Sequence, residues 1–341
     1  MKYLKQMSLG ATLALITTLS APAFAETELI YNSYLPPFNE TFQIGIRDFA
    51  AAIGEQSGGE ITVTIPDSSL APSDRQYEMV RDGIADMAVL QVESVSQFMV
   101  LNELGGLPGM APTAEAGSVA LWETYQEYFK QIGELPGVVL LSTHVLPGRD
   151  ILALDGFEIS GPEDLRGKRV WASAPPFLRA AEKMESVPMV VEFGELQEFA
   201  ARGDLDALFV SPGSAGSAGV LEMTSQIARL PGGFGSQSFM IIMAEAKWNE
   251  LSEDEKAAVL RAADDLPRRI GAANDASELE VAAEVEQIGI TVLEGAAYDA
   301  FKAVVEPQLN GWKERAMAAG LDDPQAAIDF YNAVVQRELA N

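Results

Sequence analysis

The chain has 341 residues, with no cysteine and a single histidine. This composition excludes zinc–thiolate sites, iron–sulfur clusters and thiol nucleophiles, and one histidine forms neither a catalytic triad nor a histidine metal cage. The formal net charge of −27, from 50 acidic and 23 basic residues, argues against nucleic acid or an anionic membrane surface as a partner. The acidic residues are spread along the chain, which predicts a solvated, salt-adapted surface; an acidic binding surface is the alternative.

The first 25 residues have the layout of a secretory signal peptide. Lys2 and Lys5 precede an apolar run over residues 11–19, and Ala23 and Ala25 occupy the positions that signal peptidase reads. The run is shorter than the roughly 20 residues that span a bilayer, which disfavours a retained anchor helix. We expect cleavage after Ala25 and a soluble mature protein in the bacterial periplasm, long enough for two domains.

The first half of the mature chain alternates short strands with helices. Strands are predicted at residues 29–31, 59–65 and 86–90, where apolar residues alternate with polar ones or form a short continuous run. Helices are predicted at residues 42–53, which place apolar side chains on one face, and at 77–83. This βαβαβ rhythm predicts a sheet flanked by helices.

A second α/β unit begins near Ile151. It contains a short helix over residues 161–167, with proline in its first turn and glycine at its end. The remaining predicted elements of this unit are strands at 169–171, 188–191 and 207–210 and helices at 177–184 and 195–201.

The chain then returns through an apolar strand at residues 239–243. A capping box over Ser252–Glu255 starts a helical pattern that continues to about Glu286, with a kink expected at Pro267. A strand at 290–293 and two helices close the chain, the last near 324–339. Two α/β units with repeated crossings predict an α/β fold of two lobes joined by a hinge, with ligands in the crevice between them.

Residue types that carry catalysis are sparse. His144 follows an apolar strand and is expected to be structural, and the small-residue segment Ser211–Ser217 is expected to be a loop and hinge. Motifs for a serine nucleophile elbow, a phosphate-binding loop or a dinucleotide are missing from the sequence. We therefore predict a binding protein, with no catalytic residues, no metal and no cofactor.

Several motifs resemble those of the solute-binding proteins of tripartite ATP-independent periplasmic (TRAP) transporters, the DctP-type family. They are the segment Gly161–Trp171, then Pro188, Glu195 and Gly203–Asp206, with Ser57–Gly59, Gly83–Asp86 and Glu250–Asp254. The resemblance implies a two-lobed periplasmic binding fold with a long helix spanning both lobes. It also implies closure on an organic solute and delivery to the integral membrane subunits of an ion-driven transporter.

The resemblance and the repeated crossings together predict the lobe boundaries. We expect lobe I to comprise residues 26–148 with 236–270, and lobe II residues 149–235 with 271–310. Residues 311–341 are expected to form C-terminal helices, and the protein is expected to be a monomer.

The sequence departs from the family where the family binds its ligand. The strand that usually ends in a carboxylate-binding arginine ends here in Trp171, and a position that is often asparagine is Val210. A third family position falls near Phe234. An upstream arginine of the family is matched by Arg149, although the spacing to Trp171 differs by a couple of residues.

These departures suggest a small cationic amine or amino alcohol of the ethanolamine type as ligand. Trp171 supplies a π-face for a cation, and further aromatic side chains are expected near the cleft: Phe193, Phe209, Phe234 and Tyr34. The carboxylates expected to pair with the cation are Glu93, Asp74 and Asp150. Trp171, Phe193 and Phe209 packing only in the core is the alternative.

Other functions stay open from the sequence. The receptor could instead bind an organic acid, aromatic or hydroxylated, held by Arg149. A sensory ligand-binding subunit without a transporter, or an enzyme, are alternatives of a different class.

Overall fold

The computed structural model describes residues 27–97, 99–154 and 156–340, so the predicted signal peptide lies outside the described residues. In chain order the strands of this part are β1 (Thr27–Asn32), β2 (Ile61–Thr64), β3 (Met87–Gln91), β4 (Val138–Val145), β5 (Asp150–Leu154), β6 (Arg169–Trp171), β7 (Val187–Met189), β8 (Ala207–Val210), β9 (Thr224–Arg229), β10 (Ser238–Ala244) and β11 (Ile290–Val292).

The α-helices of the same residues are α1 (Phe49–Gln56), α2 (Gln76–Arg81), α3 (Ala114–Thr124), α4 (Pro175–Lys183), α5 (Leu196–Ala201), α6 (Pro212–Ser217), α7 (Glu245–Glu250), α8 (Glu253–Ala263), α9 (Leu266–Glu280), α10 (Ala282–Ile288), α11 (Gly295–Val305), α12 (Pro307–Ala318) and α13 (Pro324–Leu339). Wider π-helical segments precede α1 at Thr41–Asp48 and follow α3 at Tyr125–Phe129. Within the described residues, no helix combines the length and the apolar character needed to cross a membrane.

Two mixed sheets organise these elements. The first has the strand order β2-β1-β3-β10-β4 and the second β11-β9-β5-β8-β6-β7. In the first sheet β1 runs parallel to β2 and β3, whereas β10 returns from late in the chain and pairs antiparallel with β3 and β4. The two-lobed α/β fold predicted from the βαβ rhythm is confirmed; the residue boundaries of the lobes stay a prediction.

Both faces of each sheet are covered, which explains the continuous apolar runs of the central strands. In β10, Ile241 and Met243 pack under α1, α8 and α9, while Met240 and Ile242 pack on the opposite face against α2. All four side chains are inaccessible to solvent. The C-terminal helices add a further core against α3, in which the Trp312 indole nitrogen donates to the carbonyl of Val100 at 2.9 Å.

The long helix expected from Ser252 to about Glu286 is three helices. The capping box at Ser252 and Glu255 is present, but α8 ends at Ala263 and Asp265 adopts a left-handed conformation with φ 58°. Pro267 then lies in the first turn of α9, where its missing N–H costs nothing, and so it starts a helix where a kink was predicted. A second break at Val281 separates α9 from α10.

The helix that spans both lobes is α9, which packs against α3 on one side and α6 on the other. Both approaches depend on glycine. A Cβ on Gly271 would lie 2.5 Å from the Cα of Glu115, and a Cβ on Gly213 would lie 2.7 Å from the backbone of Ser277. Helix α9 also supplies Asp275, whose carboxylate accepts the N–H groups of Ala114 at 2.7 Å and Glu115 at 2.8 Å at the start of α3.

Two extended segments cross between the lobes beside α9. The chain passes from β4 to β5 through residues 146–149 and returns through residues 230–237. The Arg149 N–H donates to the carbonyl of Gly235 at 2.8 Å, and the Phe234 N–H donates to the carbonyl of Arg149 at 3.0 Å. Paired backbone at the crossing fixes the position of Arg149 at the base of the cleft.

We predict that Asp275→Ala lowers the free energy of unfolding by about 1–2 kcal/mol, because two N–H groups at the α3 N-terminus lose their acceptor and a favourable charge. Urea unfolding would measure it, with Asp299→Ala as control, since Asp299 is exposed on α11. Equal effects of the two substitutions would show that Asp275 does not stabilise the junction of α3 and α9.

Candidate functional site

A cavity of about 390 Å³ lies between the lobes, a size typical of small-molecule sites. Its apolar wall is rich in aromatic rings and consists of Tyr34, Leu35, Leu146, Trp171, Val190, Val191, Phe193, Phe199 and Phe239. Its polar wall consists of Asn39, Ser73, Gln91, Ser94, Arg149, Ser173, Glu192, Glu195, Ser214, Gln237 and Asn274. Arg149 is the one basic side chain of this lining.

The Arg149 side chain is buried, with 4% of its surface exposed, yet it makes no ion pair with any described residue. Its Nη1 donates to the Ser173 hydroxyl at 2.8 Å and to the carbonyl of Phe209 at 2.8 Å. The N–H groups of Nε and Nη2 have no partner among the described residues. Burial lowers the pKa of Arg149 to about 9, so the guanidinium remains a cation at neutral pH.

Glu93 lies behind the cavity on the turn after β3, with 2% of its surface exposed. Its Oε1 accepts the backbone N–H of Ser238 at 3.0 Å, while Oε2 has no partner among the described residues. Burial raises the pKa of Glu93 to about 8, which keeps the carboxyl protonated at neutral pH. Glu93 forms no ion pair with Arg149 in the structure, and it does not line the cavity as the carboxylate partner of a bound cation.

Trp171 lines the cavity but its ring is engaged within the protein. Only 2% of its surface is exposed, and its indole nitrogen donates to the carbonyl of Val191 at 3.0 Å. The Arg149 guanidinium lies 5.4 Å from the Trp171 ring centroid and 4.7 Å from that of Phe177. The cation that Trp171 contacts in the structure is thus the internal Arg149 guanidinium, and contact of the Trp171 ring with a ligand stays a prediction.

Three residues expected at the cleft lie in the core of the second sheet. Phe209 and Phe234 are inaccessible to solvent and pack edge to face with centroids 5.7 Å apart. Val210 is buried on the other face of β8. The physical reason is that β8 is a central strand covered on both faces, so even its last residues point into packed side chains.

Two of the expected carboxylates also lie away from the cavity. Asp74 is exposed on the turn Ser73–Arg75, and its neighbour Ser73 lines the cavity in its place. Asp150 is buried and accepts both Nε and Nη2 of Arg229, the latter at 2.6 Å. Of the predicted site residues, the structure brings together Arg149, Trp171, Tyr34 and Phe193.

Several lining residues were missed in the sequence. Ser173 lies just beyond β6, Gln237 is the last residue of the return crossing, and Phe239 lies at the start of β10; at all three places strand ends meet the cleft. Their position next to predicted strand ends was the available signal.

His144 is inside β4, with its pKa lowered to about 3 by burial. It contacts the Thr41 hydroxyl at 3.1 Å and stacks on Phe239 with centroids 5.0 Å apart.

The family follows from the match along most of the chain. The family model for bacterial extracellular solute-binding proteins, family 7 (DctP), matches residues 32–315. The chain belongs to the DctP family. The resemblance predicted from the motifs between Gly161 and Asp206 is therefore confirmed. DctP proteins are solute-binding proteins, which agrees with a cleft between the lobes that is lined by the buried Arg149 guanidinium.

A relative of comparable length is the outer membrane transporter protein TsaT of Comamonas testosteroni. It is 27% identical over 328 residues, which make up 94% of this chain and 96% of that protein. The match therefore extends over both lobes.

Solved structures show the same fold. A TRAP periplasmic solute-binding protein from Bordetella bronchiseptica, with bound (R)- and (S)-mandelate, has a TM-score of 0.83 and 21% identity, covering 91% of this chain and 99% of that one. A TRAP solute-binding protein from Rhodoferax ferrireducens, in complex with copurified benzoate, has a TM-score of 0.77 and 19% identity, covering 92% and 100%.

We predict a pH-dependent difference in stability between the protein and its Glu93→Gln variant. The unfolded chain releases the Glu93 proton near pH 4.5, whereas the folded protein keeps it to about pH 8. Wild-type stability therefore falls across this window because the native state binds more protons, and the amide removes that loss. Urea unfolding at pH 5, 6.5 and 8 measures the free energy of unfolding of both proteins. The value for the variant minus that for the wild type should rise from pH 5 to pH 8, on the order of a few kcal/mol in total.

The matched control is Glu158→Gln, which removes an exposed acid outside the cavity lining. The difference in the free energy of unfolding between this control and the wild type should stay nearly constant with pH. A constant difference for Glu93→Gln as well would mean that Glu93 is ionised in the folded protein.

Proposed function

We propose that the protein is the extracytoplasmic receptor of a TRAP transporter for an aromatic or hydroxylated organic acid, whose carboxylate is bound by Arg149. The single observation that carries this proposal is the buried Arg149 guanidinium, which makes no ion pair with any described residue. A charge removed from water is stable only when it is paired and hydrogen-bonded. A ligand carboxylate supplies both.

The geometry of Arg149 suits a carboxylate. Both N–H groups of Nη1 are used by Ser173 and Phe209, which fixes the guanidinium plane. Nε and Nη2 stay free, and together they form the planar fork that binds the two oxygens of a carboxylate. The flanking rings of Trp171 and Phe177 hold this plane in place from within the protein.

The remainder of the lining suits an aromatic body. The rings of Tyr34, Phe193, Phe199 and Phe239 line the cavity together with aliphatic side chains. Ring–ring contacts contribute beyond the area they bury. The mandelate and benzoate bound by the Bordetella and Rhodoferax proteins support the same ligand class here.

The same charge disfavours the amine ligand considered from the sequence. Two like charges 5 Å apart repel by roughly 3 kcal/mol at an effective dielectric constant of 20. A ligand ammonium near Trp171 would also lie near Arg149, which contacts that ring. The neutral form of Glu93 provides no compensating carboxylate.

We further propose that the protein is a periplasmic monomer, that it delivers its ligand to integral membrane subunits, and that it does not turn the ligand over. The location and the role as a receptor are supported by membership of a family of extracellular solute-binding proteins. A purified receptor should bind its acid stoichiometrically and return it unchanged. A sensory role is distinguished by uptake, because deletion of the gene should abolish uptake of the acid only if the protein serves a transporter.

We predict that Arg149→Met weakens binding of benzoate and mandelate at least about 100-fold, because the carboxylate loses its charged partner in a dry cleft. Arg149→Lys keeps the positive charge but lacks the two-nitrogen fork, so its affinity should lie between those of the wild type and Arg149→Met. Isothermal titration calorimetry measures both, and circular dichroism checks the fold.

The control is Arg166→Met, because Arg166 pairs with Glu185 on the surface and lies outside the cavity lining. It should leave the affinity unchanged. The proposal is wrong if Arg149→Met binds the acids as tightly as the wild type, or if the wild type binds ethanolamine and neither acid.

A further inference from the structure

Gln237 is the amide of the cavity lining that the protein leaves unused. It lies at the return crossing with 4% of its surface exposed, and its side chain makes no hydrogen bond with any described residue. The other lining amides are engaged: Asn39 accepts from the Thr41 N–H at 3.0 Å, Gln91 donates to the Ser173 carbonyl at 3.5 Å and Asn274 donates to the Ile270 carbonyl at 2.9 Å.

The Gln237 amide is not among the fully buried polar atoms, so it reaches the cavity that the residue lines, where water can hydrogen-bond it. A ligand that displaces this water must offer its own polar group, or the amide is left without a partner, at a cost, when the cleft closes. The position of Gln237 therefore imposes a chemical requirement on the ligand.

The surroundings place this requirement beside an aromatic ring. Gln237 and Phe239 are two positions apart in extended chain, so their side chains point to the same side, and both line the cavity. His144 stacks on the Phe239 ring with an interplanar angle of 7°. A ligand ring must therefore meet the opposite face or the edge of Phe239, with the Gln237 amide alongside.

The charges of the lining determine which polar group is accepted. Arg149 is taken by the ligand carboxylate, and the other charged residues of the lining are the acids Glu192 and Glu195. A second carboxylate would find no cation there and would be repelled. A hydroxyl is neutral and both donates and accepts, which matches an amide.

We propose that Gln237 makes the receptor selective for hydroxylated aromatic monocarboxylates, by hydrogen-bonding the hydroxyl while Arg149 holds the carboxylate and Phe239 contacts the ring. The inference rests on the function proposed above. In this proposal Gln237 discriminates between acids with and without the hydroxyl, and Arg149 provides the affinity for the carboxylate that both have. Sites that hydrogen-bond a substrate hydroxyl discriminate strongly against analogues that lack it, because the polar group of the protein is then left unpaired.

The test compares acids that differ by one hydroxyl: benzoate with 3-hydroxybenzoate, and phenylacetate with mandelate. Titration calorimetry gives the affinity ratio within each pair for the wild type, for Gln237→Met and for Gln197→Met. Methionine matches the length of glutamine without its amide, and Gln197 is an exposed control on α5. Thermal unfolding checks that each variant folds.

The wild type should bind the hydroxylated member at least about tenfold more tightly in one of the pairs. Gln237→Met should bring that ratio close to one, because the hydroxylated acid loses more affinity than its parent acid does. Gln197→Met should behave as the wild type. An unchanged ratio in Gln237→Met, equal losses for both members of a pair, or no hydroxyl preference in the wild type would each overturn the inference.

Failure of the proposed function gives a different pattern. In that case the wild type binds none of the four acids, or binds them independently of Arg149. Binding that depends on Arg149 without a ratio that depends on Gln237 refutes the selectivity of Gln237 alone.

Discussion

The burial of the Arg149 charge, which forms no ion pair with any described residue, is the constraint on which the rest of the site depends. Desolvating a cation costs several kcal/mol in a protein interior, and the fold offsets part of this cost without neutralising it. Ser173 and the Phe209 carbonyl bind one nitrogen, two aromatic rings flank the guanidinium, and Glu93 stays protonated nearby. The charge is therefore held in one orientation with part of its donor fork free, as an anion receptor requires.

The connection between the lobes holds this arrangement at their junction. Paired crossing segments position Arg149 at the base of the cleft, and α9 braces both lobes through its close contacts at Gly271 and Gly213. Hydrogen bonds also cross the cleft, including one from the Ser217 hydroxyl to the Glu40 carboxylate at 3.0 Å. Closing the cleft around a ligand removes water, which strengthens the attraction between the guanidinium and a carboxylate.

The sequence was sufficient for the two-lobed α/β architecture, because strand and helix periodicities reflect burial that the chain itself encodes. It did not predict α3, β9 or the breaks that divide the helix expected from Ser252 to about Glu286. It was insufficient for the ligand. From the sequence, Trp171 was predicted to bind a cationic ligand, and Arg149 was the alternative that binds an acid. In the structure the two side chains contact each other, with the Arg149 guanidinium 5.4 Å from the Trp171 ring centroid. Which face of a strand end meets the cleft depends on sheet packing, so Phe209 and Phe234 were placed at the ligand and Gln237 and Phe239 were missed.

A crystal structure of the protein with benzoate would show directly whether Arg149 binds the carboxylate. We predict that both carboxylate oxygens lie within about 3 Å of Nε and Nη2 of Arg149, the range of charge-assisted hydrogen bonds. The ring should lie among Phe239, Phe193 and Phe199. The account is contradicted if the carboxylate binds away from Arg149, or if the cleft of the purified protein holds an amine against Trp171 with an ionised Glu93 paired to Arg149.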